Sequence, residues 1–70
     1  MVKVANIRMG LHTLSRDKVE RHRRSIQTED TYPIELAPLG DGTYVIAGNG
    51  RHRLAAYIAE GFTSIPANVA

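Results

Sequence analysis

Apolar residues recur along this chain first at every second position and then at every third or fourth, and the switches between those periods mark its elements. Val2, Val4 and Ile7 predict a short strand, while Met9-Gly10-Leu11-His12 keeps no clean period and reads as a loop. Ser15 precedes the run Arg16 to Gln27, where Val19 and Ile26 lie seven apart and Asp17 sits in the first turn. A hydroxyl N-cap, an early acid and that spacing predict a helix with a narrow apolar stripe. Thr28-Glu29-Asp30-Thr31 breaks the pattern. Pro33 pushes Tyr32 into extended geometry and introduces a strand, Ile34-Glu35-Leu36-Ala37.

Asp41-Gly42 within Pro38-Leu39-Gly40-Asp41-Gly42 supplies the positive φ that a chain reversal needs, so a hairpin returns through Thr43-Tyr44-Val45-Ile46-Ala47. After Gly48-Asn49-Gly50, the residues Leu54, Ala55, Tyr57, Ile58 and Ala59 recur at helical spacing between Arg51 and Glu60. Gly61 is a natural stop for that helix, and Phe62 can pack back on its end. Ser64 to Val69 reads as a last strand, with Pro66 placed on an edge or at a bulge. The expected architecture is α+β, a small mixed sheet with two helices in the order β-α-β-β-α-β.

Length narrows this further. Seventy residues make one domain, 1–70, which buries only about 60% of the surface its unfolded chain exposes. A core that small, with strand edges beside it, is compatible with a homodimer. At 43% hydrophobic and 23% charged residues the chain is neither disordered, collagenous nor a coiled coil. Its lack of cysteine excludes disulfides, Cys-ligated metals and thiol chemistry. No apolar run reaches membrane-spanning length and no signal region opens the chain, so a cytoplasmic location without a membrane partner is expected. A net charge of +2 is too small for a general nucleic-acid coat but fits a local anion site.

The most informative stretch is Gly48-Asn49-Gly50-Arg51-His52-Arg53, a glycine corner joining a strand to a helix. Such corners aim backbone N–H groups at one spot, and the helix adds its unpaired donors and positive end. Basic side chains in a first turn cost about 0.3–1 kcal/mol each when exposed; a bound phosphate or carboxylate reverses that sign. The plainer alternative is a tight turn whose Arg51 and Arg53 reach solvent or pair with Asp17, Glu20 or Glu60, and His52 could equally cap a helix or sit half-buried. Gly-Asn-Gly lacks both the dinucleotide pattern and the Walker lysine. His12 and His22 make no metal-ligand spacing with His52. On the first helix Lys18, Arg21 and Ser25 share one shoulder beside the Val19, His22 and Ile26 face, and residues 16–27 hold five Lys/Arg against two acids. That is either a solvated charged face, the far wall of an anion pocket, or a surface for nucleic-acid phosphate.

From Tyr44 to Tyr57, with Gly61 and Ile65-Pro66-Ala67 following, the chain resembles the ParB/sulfiredoxin-like superfamily, and Leu14 to Ile26 resembles that superfamily's first helix. In sulfiredoxins the similar helix opening reads Gly-Cys-His-Arg, with the cysteine doing the chemistry and His/Arg contacting ATP phosphates. The resemblance therefore implies His52 and Arg53 as phosphate ligands. It also implies that sulfinic-acid reduction is lost, because Arg51 fills the cysteine position. Lys18 and, approximately, Ser25 match a lysine and a hydroxyl that touch phosphates there, while Arg21 replaces a further hydroxyl. The ParB partition proteins resemble it through the Gly/Arg-rich corner that holds CTP, with Gly50 in place of their glutamate. Their helix-turn-helix reader and dimerising tail do not fit in this length, so the expectation is at most an N-terminal module.

The favoured expectation is a nucleoside-triphosphate or phosphate-binding module. It would use Gly48, Asn49, Gly50, Arg51, His52 and Arg53 on one side and Lys18, Arg21 and Ser25 on the other. Its ligand would be ATP or CTP with magnesium, and it would have no metal site of its own. Two alternatives stand beside it. One is nucleic-acid binding, DNA included, with or without weak nuclease action; for that or for a weak NTPase, Glu29, Asp30 and Glu35 are carboxylates only by default. The other is an accessory protein of a phage or plasmid that binds a host protein.

Overall fold

Ile34 and Leu36 are fully buried while Glu35 between them is exposed, the alternation of a strand with one face on a core. They belong to an inner strand of the computed structural model, which describes residues 1–8, 14–28 and 32–70. The loop expected from Met9 to His12, and Glu29, Asp30 and Thr31, lie outside the described residues.

The chain runs β1 (Val2–Lys3), a 3-10 turn (Val4–Asn6), β2 (Ile7–Arg8), α1 (Arg16–Gln27), β3 (Ile34–Pro38), β4 (Tyr44–Ile46), α2 (Arg51–Ala59), β5 (Ser64–Ile65) and β6 (Ala67–Val69). Four strands form a mixed sheet in the order β2-β4-β3-β6, and β1 pairs with β5 in a separate antiparallel ribbon. The expected hairpin forms, with Leu36 opposite Ile46 and Pro38 opposite Tyr44. Gly40 and Gly42 take φ of 89° and 88° in its turn. Asp41 braces that turn by accepting from the Thr43 N–H at 3.0 Å. The outer pairings, β2 with β4 and β3 with β6, are parallel, because a helix carries the chain between elements on each side.

Each terminal strand differs from expectation by being split in two. At the start, Val4–Asn6 tightens into a 3-10 turn, and the Val4 N–H donates to the Thr63 carbonyl at 2.9 Å. At the end, Pro66 has no N–H with which to continue a ladder. Its carbonyl instead accepts from Ile34 N at 3.2 Å. Both ends thus pass from the ribbon to the main sheet, and Pro66 marks the crossing point.

Both helices contribute to one core. Ile26 of α1 and Leu54, Ala56 and Tyr57 of α2 join Ile7, Ile34, Leu36 and Ile65 in a single buried cluster, with Val19 packed against it. Ser15 caps α1 as expected, its hydroxyl accepting from the Lys18 N–H. At the end of α2, Gly61 N donates to Ile58 O and Phe62 N to Tyr57 O, both at 3.0 Å, with Gly61 at φ 85°. This is the Schellman arrangement, and its usual apolar contact is present: the Tyr57 and Phe62 rings meet edge-on, centroids 5.0 Å apart.

Arg23 of α1 fastens the same end of α2. Its Nε donates to Glu60 Oε1 at 2.7 Å and its Nη1 to Glu20 Oε1 at 2.9 Å, while Gln27 also donates to Glu60. The hydrogen bond from Arg23 holds the Glu60 carboxyl below the usual carboxylate range. A depressed carboxyl stabilises the fold above the unfolded-chain value of about 4.3, and the contribution is lost as pH falls through the lower folded value. Between about pH 5 and pH 3 the thermal midpoint should therefore fall more steeply for the wild type than for Glu60→Gln. Parallel pH curves for the two proteins would contradict this.

Candidate functional site

β4 delivers the chain to the corner still paired, since the Ala47 N–H donates to the Glu35 carbonyl at 2.9 Å. The two glycines that follow are required for different reasons. Gly48 has φ 85° with open space where a side chain would go, so its requirement is backbone conformation. Gly50 has φ −155° and is buried; a Cβ there would stand 2.8 Å from Ile34 Cγ2 and 3.3 Å from Ile46 Cγ2. Its requirement is close approach of α2 to the sheet.

Gly50 is also the N-cap of α2 and has no side chain to bond the helix start. The helical ladder begins with Leu54 N donating to Gly50 O at 2.8 Å. The N–H groups of Arg51, His52 and Arg53 therefore have no acceptor within the helix, and the positive end of the helix dipole lies at the corner.

A cavity of about 300 Å³ opens at this point. Asn49, Gly50, Arg51, His52 and Arg53 line it from the corner and α2, and Lys18 and His22 line it from α1. No carboxylate is among these residues. Of Asp17, Glu20 and Glu60, the alternative expected partners of Arg51 and Arg53, Glu20 and Glu60 are engaged by Arg23 instead. Arg51 Nε is buried with no hydrogen-bond partner among the described residues. Arg53 Nη1 donates to the carbonyls of Tyr32 and Pro33 at 3.1 and 3.3 Å, which fixes its guanidinium beside the start of β3. His52 is half-buried, and its Nε2 accepts the Ser15 N–H at 2.9 Å.

The electrostatics follow from that crowding. Partial burial, followed by the charge of Arg53 and of His52, lowers the pKa of His22. Burial, followed by Arg51 and Lys18, lowers that of His52. Both imidazoles sit in a field that disfavours a further positive charge and favours an arriving negative one.

Of the expected site residues, six line the cavity: Lys18, Asn49, Gly50, Arg51, His52 and Arg53. Gly48 shapes the corner without lining it. Arg21 is exposed and, like Ser25, is not in the lining; the Ser25 hydroxyl donates to the Arg21 carbonyl at 3.2 Å. The reason is geometric. Ser25 lies about 10 Å along the helix axis from Lys18, and Arg21 points about 60° away from it, whereas only one turn of α1 faces the cavity. His22, four residues after Lys18, occupies that turn, and the i, i+4 spacing was its signal in the sequence. Glu35 lies on the sheet and accepts from Asn68. Among the described residues no group of His, Asp and Glu is arranged to hold a metal ion, and no helix is long and apolar enough to cross a membrane.

No protein-family model and no curated protein sequence matches the chain. Solved structures do. Sulfiredoxin from Arabidopsis thaliana superposes with a TM-score of 0.82 at 25% identity, covering 99% of this chain and 80% of that one. A free serine kinase in complex with AMP gives 0.80 at 21% identity, over 99% of this chain and 29% of the kinase. The C-terminally truncated chromosome-partitioning protein ParB from Caulobacter crescentus, complexed with CTP-gamma-S, gives 0.76 at 23% identity, over 99% and 42%. The chain has the ParB/sulfiredoxin-like fold. It spans most of the sulfiredoxin but under half of the kinase and of ParB.

Proposed function

We propose that this chain binds a nucleotide through its phosphates, seated in the cavity at the start of α2. The observation that carries this reading is the convergence of Lys18, Arg51, Arg53, His22 and His52 on an uncapped helix start, with no carboxylate among the described residues of the lining. Arginine forks and free N–H groups match phosphate oxygens in geometry as well as charge. Arg51 Nε, without a partner among the described residues, is a donor that a phosphate oxygen would satisfy. Two proteins of this fold hold AMP and CTP-gamma-S, which supports a nucleotide over a simple anion. Magnesium would arrive as counter-ion on the phosphates, since the described residues of the lining include cations and no carboxylate.

A thermal-shift and calorimetric panel of ATP, CTP and GTP with magnesium tests the reading. A ligand at a hundred times its Kd stabilises the fold by about 2.7 kcal/mol, and for a domain of this size each kcal/mol moves the midpoint by about 4–8 °C. One member of the panel should give a shift of about ten degrees or more. A flat response at millimolar concentration would refute the reading.

A second reading, binding of DNA, rests on Arg16, Arg21 and Arg24, which are exposed on α1 outside the cavity lining. Affinity for a duplex should fall with a log-log salt slope of about −0.9 per phosphate neutralised. A nucleotide held in one cavity should show a much shallower slope. Steep loss for duplex DNA, with no response to nucleotides, would favour this second reading.

A further inference from the structure

The two imidazoles of the cavity are not equivalent. His52 accepts the backbone N–H of Ser15 through Nε2 at 2.9 Å, across 37 positions of sequence. A ring that accepts there is neutral, with its proton on Nδ1. Ser15 is the N-cap of α1, so this one bond ties the start of α1 to the start of α2. Protonating His52 would turn an acceptor into a second donor facing the Ser15 N–H, and the tie would break. His22 lies one turn after Lys18 on α1, half-buried at the same cavity. Lys18 accompanies it from its own helix, and Arg51, His52 and Arg53 face the shared space from α2.

Resting on the nucleotide-binding reading, we propose that the two histidines divide the work: His52 is a positioning residue that stays neutral and holds the two helix starts together, and His22 is the imidazole that takes a proton from solvent as polyphosphate enters and donates it in a hydrogen bond to a phosphate oxygen. In the empty cavity, burial and neighbouring cations hold the His22 pKa below the ordinary imidazole value. A bound polyanion reverses the local field, so protonation and binding reinforce each other. Affinity then rises as pH falls through the interval between the free and bound His22 values.

The probe is inorganic tripolyphosphate, followed by calorimetry and by imidazole nitrogen NMR from about pH 8 to pH 6. His52 should keep the neutral signature, with Nε2 unprotonated, throughout. His22, identified by the resonances lost in His22→Gln, should titrate with a midpoint raised by about one unit when the ligand is added. Over that range wild-type affinity should gain up to about tenfold more than His22→Gln does, one unit of midpoint being a factor of ten. The ligand's own protonation is common to both proteins and cancels in this ratio. His52→Gln, whose amide oxygen can still accept from Ser15, should keep the pH slope and lose less affinity than His52→Ala, which should bind more weakly at every pH with the slope intact. Binding accompanied by a shift at His52 instead, or by an unchanged slope in His22→Gln, overturns the division of roles alone. No binding of tripolyphosphate by the wild type overturns it together with the nucleotide reading.

Discussion

Alanine at position 50 is expected to lower the thermal midpoint by about 5–20 °C, the largest loss of stability from any single methyl group at the corner. Its Cβ would lie 2.8 Å from Ile34 Cγ2 and 3.3 Å from Ile46 Cγ2. Ile34 is fully buried in the central cluster and has no room to withdraw, so α2 must lift from the sheet. Overpacking of this kind costs about 1–3 kcal/mol, against a total of about 4–10 kcal/mol for a chain of this length. Because φ at Gly50 is −155°, extended backbone open to any residue, the loss is steric. Gly48→Ala makes the contrast: it meets nothing within 4 Å but must hold φ 85°, a strain of about 1 kcal/mol or somewhat more. Scanning calorimetry of the two variants checks both; a Gly50→Ala midpoint within a degree or two of wild type would show that the corner packs differently.

Arg53→Ala should weaken nucleotide binding by about ten- to a hundredfold, since one charge-assisted hydrogen bond to a buried phosphate contributes about 1.5–3 kcal/mol. Arg53 is the lining cation whose position is best determined, because its Nη1 rests on the Tyr32 and Pro33 carbonyls at the edge of the cavity it lines. Arg53→Lys should fall between, keeping the charge and losing the fork. Arg21→Ala, exposed and outside the lining, should leave binding within a factor of two or so, as solvent-screened charges do. Calorimetric titration with the nucleotide selected by the panel decides it. Equal losses at Arg21 and Arg53 would mean that a charged surface, and not the cavity, holds the ligand.

The parts of the site legible from the residues were those carried by local chemistry. A hydroxyl before a helical run, with an acid in its first turn, placed the start of α1 at Ser15. Glycines before Arg51-His52-Arg53 placed a cationic helix start beside a strand end. Lys18, Arg21 and Ser25 were grouped by wheel angle, and angle omits distance along the axis. Only the crossing of α1 with α2 determines which turn of α1 faces the corner, and that turn carries Lys18 and His22. The role of His52 was open for the same reason: a ring nitrogen serves a ligand or a neighbouring N–H according to what lies beside it, and Ser15 is 37 positions away.

The sheet divides along similar lines. The β3–β4 hairpin was visible because a turn of a few residues sets its register. The split of each terminal strand was not, since it depends on pairings that join Val2 to Ile65 and Ile34 to Ala67. By itself, then, the order of residues determined the helices, the hairpin and the presence of a basic glycine corner, all interactions within one or two turns of chain. The tertiary structure decided which cations share a cavity, which glycine is needed for space and which for conformation, and which histidine accepts the Ser15 N–H. Those outcomes depend on distances between residues far apart in sequence, and such distances exist only once the core has closed.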